Sequence, residues 1–191
     1  MTPRAIAVGR IANRGWAMWV FGYGSLLWNP EFPVAEQVVA RLPGYARSFC
    51  MRSIHHRGSE AEPGLVLALD ESAERACEGL ALRVQPGHED ETLAGLRERE
   101  LISSAYVEKN LVVDLVDGRH VNAVAYVIER DHVQYCGGLP LEEQAQIIAR
   151  AVGGRGPNTE YLFNTAKHLA ELGLADADLD WLVRRVRSIC A

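Results

Sequence analysis

At 191 residues, 48% hydrophobic and 24% charged, the chain is long enough to bury one substantial core and too apolar to stay disordered. Its net charge of −5 gives no basic footprint for nucleic acid or for an anionic membrane surface. No apolar run approaches the roughly 20 residues of a membrane-crossing helix. A soluble, cytoplasmic protein is therefore expected, with neither nucleic acid nor membrane as partner.

In chain order, residues 1–17, MTPRAIAVGRIANRGWA, are basic and free of acids. Gly9-Arg10 breaks the apolar run, so no signal-peptide core forms. The segment reads as a flexible extension with some transit-peptide character, ahead of a single domain at 18–191; Met18 is an alternative start. Residues 19–30, WVFGYGSLLWNP, read as a short buried strand, Trp19-Val20-Phe21, running into the turn Gly22-Tyr23-Gly24-Ser25. Residues 38–53 have strand character around a Pro-Gly turn. The runs 64–72 and 77–85 read as two more strands, and the loop between them fits a hairpin or a near-neighbour pairing. Residues 87–101 turn helical, with acids at the front, where they complement the helix dipole.

Strand character returns at 105–129, where Asp117-Gly118 between two apolar runs signals a hairpin turn. Helices are expected at 140–153, 159–173 and 176–189, with a loop at 153–158. In the last helix Leu179, Leu182, Val183, Val186 and Ile189 form one apolar stripe, which is the pattern of core packing. Strands first and helices after predict an α+β domain with a mixed, curved or barrel-like sheet and flanking helices.

The glycine turn is no dinucleotide site, because Leu27 stands where a close-packing glycine or alanine is required. GGRGP at 153–157 lacks the G-K-[ST] ending of a phosphate loop. Ser25 is followed by Leu26 and Leu27, outside the G-x-S-x-G pattern of a hydrolase nucleophile, although a Ser25–His56 pairing stays open. Two readings of the turn are left, a nest of backbone N–H groups for a carboxylate or a tight turn without a ligand. Cys50, Cys77, Cys136 and Cys190 stand singly, with no C-x-x-C spacing. Adjacent His55 and His56 point to opposite sides of an extended chain. No metal is expected, and Cys50 and Cys136 are expected as small buried apolar groups.

One acid stands out. On the predicted helix Glu100 lies about 40° from Leu96, on the apolar face, whereas Glu98 lies about 200° away in solvent. An inward carboxylate must be paired, hydrogen-bonded or protonated, and burial raises its pKa toward the range useful for proton transfer. The other reading is a glutamate near a helix end that reaches water, or an arginine such as Arg52 or Arg57.

Taken in order, WVFGYGSLLWNP, GYARSFCMRSIHHRG, PGLVLAL, RELISSAY and NTEYLF resemble the ChaC family of γ-glutamylcyclotransferases, from about Met18 to the C-terminus. The resemblance implies an enzyme that cleaves glutathione to 5-oxoproline and cysteinylglycine without metal or cofactor, on a γ-glutamylcyclotransferase-like fold built around a barrel-like sheet. The family's Y-G-S-L segment matches Tyr23, Gly24, Ser25 and Leu26, whose amides would hold the substrate. Its catalytic glutamate, in an R-E pair shortly before a tyrosine, matches Arg99-Glu100 with Tyr106. Arg97-Glu98 is a second R-E pair; the helical face and the distance to Tyr106 both favour Glu100. Arg47, His56 and Arg57 are candidates for reading the glycine carboxylate, with a surface role as the alternative. Tyr106, Tyr135 and Tyr161 are candidate hydroxyl donors to the substrate, or core tyrosines. The competing functions are a cyclotransferase for other γ-glutamyl compounds and a non-catalytic binding protein on the same fold.

Overall fold

The computed structural model describes residues 17–102 and 104–191; the extension expected at 1–17 lies, apart from Ala17, outside them. Five strands close into a barrel in the order β1-β3-β2-β4-β5. They are β1 (Trp19–Gly22), β2 (Val34–Ser53), β3 (Gly64–Val84), β4 (Tyr106–Leu115) and β5 (His120–Ile128). Neighbours run antiparallel except where β5 meets β1 and β3 in parallel and closes the ring. The sheet is therefore mixed and barrel-like, and the α+β expectation holds. Apolar side chains fill it: Phe21, Leu42, Leu67, Leu69, Leu82 and Tyr126 are almost fully buried.

Two expectations need correction. Residues 64–72 and 77–85 are not a hairpin but one 21-residue strand, β3, which pairs antiparallel along its length with the 20-residue β2. The polar stretch that looked like a loop, Glu71–Arg75, is a largely exposed part of that long arm, where polarity reports solvent rather than a turn. Likewise Pro43-Gly44 does not reverse β2. It makes a register shift opposite that stretch, with Gly44 at φ +81°, the left-handed conformation that glycine tolerates. The true reversal is the tip at 54–63, which carries His55, His56 and Arg57.

The helix α1 (Glu89–Glu100) opens on Glu89, Asp90 and Glu91, as its sequence requires, and leads into β4. The β4–β5 hairpin turns at Asp117-Gly118, where Leu115 donates its N–H to the Arg119 carbonyl at 2.8 Å. Then follow α2 (Leu141–Arg150), α3 (Asn158–Glu171) and α4 (Ala177–Cys190). In α4 the stripe is confirmed: Leu179, Leu182 and Val186 are buried, and Val183 and Ile189 pack against them. Between α2 and α3 the expected loop is instead a small hairpin, β6 (Val152–Gly153) with β7 (Gly156–Pro157). No described helix is long and apolar enough to cross a membrane. Cys50 and Cys77 are buried and Cys136 is half-buried; burial pushes the first two thiols up to about 12 and about 11.

Asn158 fastens α3 to the barrel. Its fully buried amide donates to the Leu65 carbonyl and accepts from the Leu65 N–H, both at 2.7 Å, standing in for a missing strand neighbour. Asn158→Ala would orphan both groups inside the core. It is expected to cost about 2–6 kcal/mol of unfolding free energy, at about 1–3 kcal/mol for each of the two unsatisfied groups. Urea unfolding checks this: a loss below 1 kcal/mol would show that the bridge is dispensable.

Candidate active site

At one end of the barrel, β1 hands the chain to a single 3₁₀ turn, Ser25–Leu27. Gly24 enters it at φ −136°, ψ −120°, and a Cβ there would sit 2.9 Å from the Tyr161 hydroxyl, which would have to move. The turn consumes the Leu27 N–H on the Gly24 carbonyl at 3.0 Å. Among the described residues, the N–H groups of Ser25 and Leu26 have no backbone partner, as at the start of any helix. Two donors are thus left at the edge of an inner chamber of about 40 Å³, lined by Tyr23, Gly24, Ser25, Leu26, Leu67 and Tyr126 together with Glu100, Tyr106 and Tyr161.

Three tyrosines shape this chamber. Tyr106 donates to the Leu67 carbonyl at 3.0 Å, and Tyr161 accepts from the Leu67 N–H at 3.3 Å. Tyr23 donates to the Tyr126 carbonyl at 3.0 Å. The Tyr161 oxygen uses an acceptor site there and keeps its own proton to give. Burial, with the nearby Glu100 charge adding to it, raises all three phenols above their ordinary value, so they stay protonated donors.

Glu100 ends α1 and lines both the inner chamber and an outer cavity of about 100 Å³. Its side chain is 17% exposed, while Glu98 is on the solvent side, as the helical geometry predicts. Burial pushes its carboxyl above the usual carboxylate range, against the pull of Arg99 and Arg155; Glu31 adds to the rise. The ion-pair partner is neither Arg52 nor Arg57 but the adjacent Arg99, whose Nε lies 3.2 Å from Oε1. Arg99 is shared: its Nη2 donates to Ser25 Oγ at 2.6 Å and its Nη1 to the Asn29 carbonyl and Glu31 at 2.8 and 3.0 Å. Ser25 is therefore held by a cation rather than activated by His56.

The outer cavity takes its floor from the β2–β3 tip and the β6–β7 hairpin. His56 and Arg57 both line it. His56 is half-buried, and burial first, then Arg155, lowers its pKa, which keeps the imidazole neutral near pH 7. Arg57 donates to the Pro157 carbonyl at 3.1 Å, lies 3.6 Å from Glu160, and its guanidinium sits over the Tyr161 ring at 5.8 Å. The structure thus brings together Tyr23, Gly24, Ser25, Leu26, His56, Arg57, Glu100, Tyr106 and Tyr161.

Arg47 and Tyr135 are not brought there. Arg47 passes behind the turn, where Nε donates to the Tyr23 carbonyl at 2.8 Å, Nη1 to Asp176 at 3.1 Å and Nη2 to the Glu78 carbonyl. Its donors are spent on anchoring the turn to α4. Tyr135 donates to Asp70 at 2.9 Å, and its neighbour Gln134 lines the cavity instead. The sequence reading gave no role to Arg99 or Arg155. Arg99 was visible as the partner in the R-E pair; the signal for Arg155 is an arginine held between glycines in GGRG. Among the described residues no three His, Cys, Asp or Glu side chains converge as metal ligands.

A family model of ChaC-like proteins matches residues 18–189. The glutathione-specific γ-glutamylcyclotransferase of Escherichia coli (strain K12) is 36% identical over 174 residues, covering 91% of this chain and 74% of that protein. γ-Glutamylcyclotransferase 2-3 of Arabidopsis thaliana is 35% identical over 181 residues, covering 91% and 90%. A crystal structure of a yeast γ-glutamyl cyclotransferase specific to glutathione superposes with a TM-score of 0.80 at 24% identity, over 92% of this chain and 100% of the other, a likeness of fold. With the family match spanning the barrel, the turn and the inward glutamate alike, the chain belongs to the ChaC family.

Proposed function

We propose that this chain is a cytoplasmic γ-glutamylcyclotransferase that cleaves glutathione to 5-oxoproline and cysteinylglycine, with Glu100 as its general base and acid. The observation that carries the reading is the placing of the Glu100 carboxylate, poorly solvated and raised in pKa, between the inner chamber and the outer cavity. The names of the relatives supply the substrate. Four unpaired cysteines suit a reducing compartment.

In this reading the γ-glutamyl group enters the inner chamber. Glu100 removes a proton from its α-ammonium, and the freed amine attacks the γ-carbonyl carbon. The ring C–N bond forms as the carbonyl electrons move to oxygen, where the free N–H groups of Ser25 and Leu26 can donate to the oxyanion. Collapse breaks the bond to the cysteinyl nitrogen. Two protons pass in all from the α-ammonium to that nitrogen, and Glu100 carries them in turn and ends as it began. Tyr106 and Tyr161 border the same chamber, and His56 and Arg57 the leaving dipeptide. Because the attack is intramolecular, holding the folded conformer supplies much of the acceleration.

Glu100→Gln keeps the shape and removes the base. It is expected to lower kcat by about 10²–10⁴-fold, measured as 5-oxoproline release from glutathione with γ-Glu-Ala alongside. Release unaffected by the substitution would overturn the assignment of Glu100, and no release by the folded wild type would leave a binding protein. Gly24→Ala forces Tyr161 away from the turn and is expected to depress turnover by at least tenfold while thermal unfolding stays cooperative; full activity would place the substrate elsewhere.

The raised pKa gives a pH signature in two directions. A general base must be ionised, so kcat/KM is expected to rise with pH through a limb above the ordinary carboxylate range, and a limb at or below pH 4.5 would contradict it. For stability the sign is reversed. The folded protein holds the Glu100 proton more tightly than the unfolded chain, so this group loses stability as pH rises from its unfolded to its folded pKa. Glu100→Gln is thus expected to raise Tm at pH 7–8, with the gain shrinking below pH 4.5; a Tm lowered at pH 8 would show that the Arg99 pair outweighs desolvation.

A further inference from the structure

Three guanidinium groups line the outer cavity besides the carboxylate of Glu100, and two of them are committed. Arg99 is tied to Ser25, Asn29, Glu31 and Glu100, and Arg57 to Pro157, Glu160 and the Tyr161 ring. The third, Arg155, is exposed and has no side-chain hydrogen bond or ion pair among the described residues. His56 adds no charge near neutral pH, because its imidazole is held neutral. Among the described arginines that line the cavity, Arg155 is thus the one whose guanidinium makes no hydrogen bond or ion pair.

Arg155 is nevertheless not adrift. It sits at the tip of the β6–β7 hairpin, where its N–H donates to the His56 carbonyl at 2.9 Å and that of Gly154 to the His55 carbonyl at 2.8 Å. Gly153 lies so close to the β2–β3 tip that a Cβ would meet the Gly58 N and the His56 carbonyl at 2.5 Å. The backbone that presents Arg155 is therefore fixed against the cavity wall. Arg155 also has a place in the series of spaces. Glu100, with Ser25, Tyr106 and Tyr161, lines both the inner chamber and the outer cavity. Arg155, with His56, Arg99 and Ile102, lines both the outer cavity and a wider groove beside Phe32 and Leu96, to which it brings the guanidinium without a partner. Reading outward, the order is turn, Glu100, outer cavity, Arg155. Glutathione has the same order: γ-glutamyl group, scissile carbonyl, cysteine, glycine carboxylate.

We infer that Arg155 binds the terminal carboxylate of the peptide leaving group and makes this enzyme select γ-glutamyl peptides that end in a free carboxylate two residues beyond the γ-glutamyl group. The inference rests on the cyclotransferase reading. A planar guanidinium matches a carboxylate with two parallel hydrogen bonds, and a contact made equally in ground and transition states appears in KM rather than in kcat.

The test compares glutathione with its glycinamide, γ-Glu-Cys-Gly-NH₂, in wild type, Arg155→Gln and Arg155→Lys, by 5-oxoproline release at pH 8. Wild type is expected to favour glutathione by about tenfold in KM with similar kcat, the size of one charge-assisted hydrogen bond at an open site. Arg155→Gln should lose that preference by weakening glutathione alone, and Arg155→Lys should keep part of it. A preference that survives intact in Arg155→Gln, or its absence in the wild type, overturns the inference while turnover itself upholds the cyclotransferase. No 5-oxoproline from either peptide overturns the parent reading and this one with it. Binding of the two peptides to Glu100→Gln by calorimetry gives the same comparison without turnover, and equal affinities there would also overturn it.

Discussion

The Glu100 carboxylate is kept where water solvates it poorly, and two guanidinium groups, Arg99 in contact and Arg155 through space, make this tolerable. Arg99 lies 3.2 Å from it but also serves Glu31 at 3.0 Å, so one positive charge is divided between two acids. Glu100 is moreover the last residue of α1, the end where the helix dipole is negative and a carboxylate is disfavoured. Full neutralisation by a private arginine would have lowered the pKa, and burial without any partner would have made the ionised form inaccessible. Divided pairing leaves an acid that can ionise and can also be reprotonated, as proton transfer in both directions requires.

The same guanidinium ties the base to the turn. Through Ser25 Oγ at 2.6 Å and the Asn29 carbonyl at 2.8 Å, Arg99 couples the end of α1 to the turn that borders the inner chamber. From the other side Arg47 holds the Tyr23 carbonyl and the Asp176 carboxylate that caps α4. Two buried arginines, each about 6–8% exposed, thus clamp one short turn between a helix and the barrel. Rigid placement is worth most where the reaction closes a ring within one substrate, because conformational freedom is then a large part of the barrier.

Some of this could be read along the chain. Helix periodicity separates Glu100 from Glu98, since both belong to one local element whose geometry is fixed at 100° per residue. The Asp117-Gly118 turn and the α4 stripe are local in the same way. Side chains that act across elements were less legible. Arg47 and Tyr135 carry suitable groups, yet their partners are 129 and 65 residues away in the chain, and no local pattern reports that their donors are already used. The long β2–β3 arms misled for a related reason: a strand leaving the core loses its apolar alternation and resembles a loop.

The α+β class, the change from strands to helices, the inward carboxylate and the family were legible along the chain, because periodicity, turn chemistry and motif order are properties of neighbouring residues. Which cations meet the cavity depends instead on how distant segments pack. Arg47, Arg57, Arg99 and Arg155 are alike as residues, and they differ only in what surrounds them. Three are spent on carbonyls and carboxylates of the protein itself. The fourth has no side-chain hydrogen bond or ion pair among the described residues, because a glycine hairpin carries it past the tip of β2 and β3 to the cavity wall, where it acts on Glu100 only through space.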